Sequence, residues 1–420
     1  MAAKEGKRPA LRPLSASFNN GDPQSSALRL VFTLFPEWEL EEGEIKLTRF
    51  TEGITNTLLK ASKRRPGKSE KEIDDAAILI RAYGKGSEVL IDREWEMATH
   101  LLLASYNLAP EPLARFQNGM IYRFIPGRVC SPADLQSEPI WRAVATRLGQ
   151  WHATLPVISG EKVAATSKSE FEMCLPLVRT RRTHSQEEID AITPDKVVPN
   201  IWTRMQKWIY ALPTQTNKQK QQQQLLQREL LRTVKDLADL PGLGNNSLVL
   251  GHCDLLCGNI IKVPPLRDSS LDLGNTENVT FIDYEYSSPT PAAFDLANHF
   301  AEWGGFDCDY SVLPTRSTRR AFLLQYLSSY KAYHQNAAGL SVSNEELDAL
   351  CNAVDCFRGT PGLYWGIWAL IQAEISQIDF DYAEYAQIRL GEYFAWREEE
   401  DGSREKAGRK MHPREQRLAE

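Results

Sequence analysis

Apolar residues alternate or cluster in short runs over the first third of the chain, and recur at helical spacing over most of the remainder. Near Glu44, the positions Ile45, Leu47 and Phe50 carry a strand-like pattern. Residues 51–56 form a Gly/Thr/Asn turn, and Thr57-Leu58-Leu59 starts a second strand. Residues 77–84 read as a buried strand bearing one charge, Arg81. Asp92 then opens a helix through Trp95 and Glu96, with Met97, Leu101 and Leu102 on its apolar positions. Two further strands flank Asn118-Gly119, a strong hairpin signal.

Beyond residue 126 the period becomes helical. Val144, Leu148 and Trp151 define a helix over residues 140–155, where His152 reads as a packed core histidine. Residues 158–200 are polar and Thr/Ser-rich and suggest no chemistry, and residues 62–75 read as a charged, solvated insertion. A Gln run inside residues 215–239 fits a surface helix or helical insertion, and no repeat architecture emerges. The ends look different. Residues 1–27 (Ser, Pro, Asn and basic) read as a disordered leader, and residues 397–420 as a charged, disordered tail.

Composition narrows the class. With 420 residues, 42% hydrophobic and 25% charged, the chain has the balance of a soluble globular protein of two or three domain-sized units. A net charge of −6 offers no general footprint for nucleic acid. The apolar runs fall short of a stable membrane span, and the first residues lack a signal-peptide core. Seven cysteines without paired or zinc-like spacing leave the cytosol as the default compartment.

The chemistry concentrates in residues 246–303. An apolar strand, Leu248-Val249-Leu250, runs into His252-Cys253-Asp254, with Asn259 five residues after the Asp. A second strand follows at Ile260-Ile261, and a third, Val279 to Ile282, delivers Asp283. In phosphoryl transfer from ATP, an Asp so placed accepts the proton of the attacking hydroxyl. An Asn and a second Asp hold a metal that bridges the phosphates. Such a set of oxygen donors suits Mg²⁺. Asp254, Asn259 and Asp283 fit these roles in that order. Asp295, further on, fits a structural carboxylate anchoring the loop. The aromatic spacing of Trp365 and Trp368, repeated by Tyr382 and Tyr385, fits core packing or a cation–π surface for an ammonium group.

Three segments, GHCDLLCGNII, FIDYEYSSPTPAAFDLANHFAEW and RFTEGITNTLLKA, resemble the choline/ethanolamine kinase family over roughly residues 44–394. EGITN, LIRAYG, EVLIDRE and LLCGNII are more similar to its ethanolamine kinases than to its choline kinases. The resemblance implies an α+β, protein-kinase-like fold, with a small β-rich N-terminal lobe (residues 28–126) and a larger helical C-terminal lobe (residues 127–396). It implies ATP and Mg²⁺ as cofactors and phosphorylation of ethanolamine, the first step of phosphatidylethanolamine synthesis by the CDP-ethanolamine route. By the same resemblance Gly53, Thr55 and Asn56 cover the nucleotide, and Arg81 paired with Glu96 holds its phosphates. Phe124 and Ile125 form the hinge that meets adenine, Asp254 is the base, and His252 braces the loop. Asn259 and Asp283 hold the metal, and Glu302, Tyr310, Trp365, Trp368 and Tyr385 surround the amine.

One residue departs from the family pattern. Cys253 stands where Asn is common, at a position that carries neither proton nor metal. Choline kinase or dual specificity is the nearest alternative, then a non-catalytic kinase-like binding module. An antibiotic phosphotransferase fits the catalytic loop but not the aromatic set. The expected partner is a small amino alcohol, with no nucleic acid and no stable membrane insertion; a homodimer is left open.

Overall fold

The computed structural model describes residues 11–50, 56–84, 86–161, 184–244, 246–264, 277–334 and 341–420. The chain divides between Arg128 and Val129 into two compact units, and each is built around its own core.

The N-terminal unit is a six-stranded sheet. Its order is Arg12–Leu14, Pro112–Phe116, Gly119–Arg123, Ile78–Tyr83, Asn56–Arg64, Glu44–Phe50. Only the first pairing is parallel. The disordered leader expected at the start is therefore corrected from residue 11 onward. Leu14 adds an edge strand, and the helix Pro23–Leu34 buries Ala27, Leu30, Val31 and Leu34 against the sheet. Asp22 caps that helix by accepting the Ser25 N–H at 3.3 Å, and Pro23 stands at its first turn, where no backbone donor is needed. The polar composition of residues 1–27 had masked the buried Leu14, Phe18 and Ala27.

The charged stretch 62–75 is likewise not a solvated loop throughout. Lys63 is 5% exposed and donates to the carbonyls of Trp38, Glu41 and Gly43 at 2.8–2.9 Å. Glu70–Asp75 forms a short helix closed by a Ser69–Glu72 capping box. The hairpin near Asn118 also differs in detail. Phe116 pairs with Gly119, so the turn residues are Gln117 and Asn118. Gly119 is required by crowding: a Cβ there would sit 2.1 Å from the Arg81 carbonyl oxygen and 2.3 Å from the Phe116 ring.

The C-terminal unit is mainly helical. The helix Glu138–Thr154 packs on Arg316–His334 and lies under the short strand Val249–Gly251, where the Trp151 indole donates to the Leu250 carbonyl at 2.8 Å. That strand pairs with Ser288–Thr290, while Ile260–Val263 and Asn278–Phe281 form an antiparallel pair in register. The helices Thr360–Ile375 and Tyr382–Glu400 pack closely on each other.

The Gln run lies in a single helix, Asn217–Leu237, which buries Leu226, Leu230 and Leu237. Gln227 exchanges amide hydrogen bonds with Gln206 of the helix Ile201–Ala211, at 2.6 and 2.7 Å.

The expected disordered tail is corrected too. Helices Ser403–Lys406 and Pro413–Ala419 follow the long helix, and Arg414, Glu415 and Leu418 are buried. Two of the tail's charges are mated and buried: Arg414 pairs with Glu415 at 2.8 Å, and Glu415 with Arg358 at 2.7 Å. No helix among the described residues is long and apolar enough to cross a membrane.

Candidate active site

The loop after Val249–Gly251 is fixed from below by Asp295. This carboxylate, 1% exposed, accepts the backbone N–H groups of His252 (2.9 Å) and Cys253 (2.7 Å) and the Nε2–H of His152 (3.0 Å). Burial alone would raise its pKa, but His152 and the loop donors outweigh that and hold it below the usual carboxylate range. His152 in turn accepts from the Tyr326 hydroxyl at 2.7 Å. Gly251 is needed for this approach, because a Cβ would lie 2.3 Å from the Thr290 methyl and 3.1 Å from the Asp295 carboxyl carbon.

His252 is fully buried and donates to the Ile282 carbonyl at 3.0 Å; burial pulls it down to about 4, so it stays neutral. Cys253 adopts a left-handed backbone, φ +61°, a conformation that Asn tolerates better than most residues.

Asp254 and Asn259 are joined directly. The Asn259 amide nitrogen donates to both the carbonyl oxygen (2.8 Å) and the carboxylate (3.0 Å) of Asp254, which turns its Oδ1 away from those bonds. The Ile282 N–H donates to the Asn259 carbonyl at 3.0 Å and so brings Asp283, another left-handed residue, beside the loop. Burial, followed by the charges of Asp283, Glu302 and Glu285, pushes Asp254 well above the usual carboxylate range. Such crowding of carboxylates favours a cation. Asn259 Oδ1 and the Asp283 carboxylate are hard oxygen donors of the kind that suit Mg²⁺. Among the described residues no three His, Cys, Asp or Glu side chains form a dedicated metal cage.

An aromatic face adjoins this loop. Trp365 and Trp368 meet edge to face with centroids 5.5 Å apart, and Tyr286 lies 5.6 Å from Trp365. The Trp368 indole donates to the Tyr286 hydroxyl at 2.8 Å. Asn298 ties the face to the loop: its amide nitrogen donates to the Cys253 carbonyl (3.1 Å) and its oxygen accepts from the Trp365 indole (2.8 Å).

Glu302, 6% exposed, pairs with Arg389 at 3.2 Å. Burial raises Glu302 to about 7, with Arg389 opposing the rise and Glu392 adding to it. Tyr385 is buried under the Arg389 guanidinium, 5.8 Å from its ring, and meets Phe306 and Phe380.

Tyr310 does not join this set. Its ring meets His412 edge to face with centroids 5.5 Å apart, because the turn Tyr310–Val312 packs on the C-terminal helix Pro413–Ala419. Glu285, Tyr286 and Arg389 were missed. Tyr286 was within reach of sequence reasoning, since it lies three residues beyond Asp283. Nothing in the sequence marked Arg389.

In the N-terminal unit, Arg81 and Glu96 are both buried and pair at 3.2 Å. Arg93 makes a second bond to Glu96 (2.8 Å), so two guanidinium groups share one carboxylate and the trio stays positive. Arg93 also reaches the Asn56 side chain at 3.4 Å. Gly53 and Thr55 lie outside the described residues. The Phe124 N–H is already committed to the Ala77 carbonyl at 3.0 Å, and Lys60 sits 4.1 Å above the Phe124 ring. Ile125 follows just beyond the strand end and is half-buried.

A family profile described as Choline/ethanolamine kinase matches residues 47–394. The chain is 32% identical over 386 residues to mouse ethanolamine kinase 1, covering 90% of each protein. It is 29% identical over 371 residues to a probable ethanolamine kinase of Arabidopsis thaliana, covering 87% of this chain and 83% of that one. Among solved structures, an ethanolamine kinase of Plasmodium vivax superposes with a TM-score of 0.64 at 24% identity, covering 89% of each chain. A choline kinase of Cryptosporidium parvum superposes with a TM-score of 0.61 at 21% identity, over 90% of this chain and 96% of the other. The fold is protein-kinase-like, a mixed-sheet unit followed by a helical one.

Proposed function

The chain belongs to the choline/ethanolamine kinase family, and from that premise we propose that it transfers the γ-phosphoryl group of ATP to the hydroxyl of ethanolamine. The observation that carries this reading is the Asn298 side chain, which bonds the Asp254 loop on one side and Trp365 on the other. A base for a hydroxyl and an aromatic face for an ammonium group are thereby held in fixed relation. A two-carbon amino alcohol has those two ends. The sequence relatives named as ethanolamine kinases support the same substrate.

In this reading Asp254 accepts the proton of the ethanolamine hydroxyl and aligns the oxygen for in-line attack. Its raised pKa brings it toward the range useful to a general base. Mg²⁺ held by Asn259 and Asp283 would neutralise charge on the transferred phosphate. Arg81, supported by Glu96 and Arg93, supplies the cation for the nucleotide's phosphates, gripping them as a planar fork. Glu302 with Trp365, Trp368 and Tyr385 receives the ammonium group: N–H donors suit the carboxylate, and the rings add cation–π attraction. His252, neutral and bonded to Ile282, braces the loop. Because the reaction passes through a loose transition state, these groups act by position and charge.

Choline is the second reading, favoured by the Trp365–Trp368 edge-to-face pair, which suits a methylated ammonium. Initial rates with ethanolamine and choline, at fixed ATP and Mg²⁺, separate the two. A higher kcat/KM for ethanolamine supports the proposal. A higher value for choline transfers the site to that substrate, and no turnover of either overturns it.

A further inference from the structure

A ladder of alternating charges runs inward from the C-terminal helix Pro413–Ala419. Arg414, 2% exposed, places its Nε 3.8 Å from Glu392. Glu392, also 2% exposed, lies 3.4 Å from Arg389, and Arg389 lies 3.2 Å from Glu302. Arg389 is 1% exposed and also covers the Tyr385 ring, so it touches two of the residues assigned to the amine.

Buried charges of this kind stay ionised only with partners. Arg389 stands between two carboxylates, and its single positive charge does not neutralise both. Arg414 shares Glu415 with Arg358 and turns its Nε to the far side of Glu392 as a second cation, which leaves Arg389 available to Glu302. The Glu392 side chain is on the same helix as Arg389, whereas Arg414 and Glu302 come from distant parts of the chain. The ladder therefore depends on the tail helix being docked.

We infer that Arg389, backed by Glu392 and Arg414, is a positioning residue that holds Glu302 as an ionised counter-ion for the cationic substrate, so that the helix Pro413–Ala419 helps set affinity for the amine. This rests on the assignment of Glu302 to the ammonium group. Removing Arg414 makes Glu392 compete with Glu302 for Arg389, and Glu302 then takes up a proton more readily. A change of one pKa unit alters the ionised fraction up to about tenfold.

The test compares KM for ethanolamine, KM for ATP and kcat in the full chain and in four variants: Glu302→Gln, Arg414→Met, Arg389→Lys and the charge-neutral double Arg389→Met/Glu392→Gln. Arg414→Met suits the purpose because Glu415 keeps its bond to Arg358. Circular dichroism and a thermal melt establish that each variant is folded. The expected result is an amine KM raised up to about tenfold in Arg414→Met and in the double variant, with KM for ATP unchanged and Arg389→Lys close to the parent. An unchanged amine KM in both variants, while Glu302→Gln raises it, overturns the ladder and leaves the assignment of Glu302 standing. An equal rise in both KM values also overturns it, as general damage. An unchanged amine KM in Glu302→Gln overturns the assignment itself.

Discussion

The backbone N–H of Cys253 lies 2.7 Å from the carboxylate of Asp295, a residue 42 positions further along the chain. With the neighbouring bond from His252, this contact sets the direction in which Asp254 leaves the loop. Asp295→Ala leaves two buried N–H groups and His152 without an acceptor. We expect a loss of roughly 2–3 kcal/mol in stability, read as an earlier urea midpoint, together with a drop in kcat that exceeds any change in KM for ATP.

Burial, and then the charges of Asp283, Glu302 and Glu285, raise the pKa of Asp254, so its ionised form opposes folding. A folded-state pKa above the unfolded value means that stability falls as pH rises from the unfolded carboxylate value toward the folded one. Asp254→Asn should therefore melt about 2–4 °C higher at pH 8 while kcat falls about 10²–10⁴-fold. ATP binding, followed by calorimetry, should persist. Near-normal turnover would remove Asp254 from the reaction.

Glu302, held near 7, predicts a pH dependence of a definite sign. Below that value the carboxyl is neutral; above it the group is an anion able to pair with the ammonium ion. The dissociation constant for ethanolamine should fall from roughly pH 6 to pH 8 and then level. Glu302→Gln should flatten the profile and weaken binding at the upper end. Titration calorimetry repeated on an Asp254→Asn background isolates this from the titration of Asp254, whose pKa the Glu302 charge also raises.

Gly119 gives a structural prediction. Its missing Cβ makes room for the Arg81 carbonyl at 2.1 Å and the Phe116 ring, so Gly119→Ala forces the strand bearing Arg81 to move. We expect about 1–3 kcal/mol of destabilisation and a raised KM for ATP, with KM for ethanolamine little affected.

Local sequence was most informative where chemistry imposes spacing. Asp254, Asn259 and Asp283 sit on strand ends and one tight loop, so their proximity follows from a few dozen residues of chain. Five of the six strands of the N-terminal sheet were readable from the apolar pattern, the exception being Arg12–Leu14. The tail was not: its sequence is mostly charge, and only the approach of Glu392 and Arg358 lets Arg414 and Glu415 be buried in ion pairs. Arg389 was invisible for the same reason, since an Arg within a polar helix carries no mark of what it will face. Tyr310 was assigned to the amine by its place in the chain, yet it turns toward His412, a contact that required the fold of the tail. The leader shows the complementary limit: Leu14, Phe18 and Ala27 are buried, but within residues 1–27 they were outweighed by the polar residues around them.

Phosphorus NMR of a reaction holding the full chain, ATP, Mg²⁺ and ethanolamine tests the central claim most directly, because it identifies the product. The account predicts a phosphomonoester signal matching phosphoethanolamine that grows as the ATP γ-signal declines, and that fails to grow with Asp254→Asn. ATP loss that yields only inorganic phosphate, or a phosphoethanolamine signal undiminished in Asp254→Asn, would contradict it.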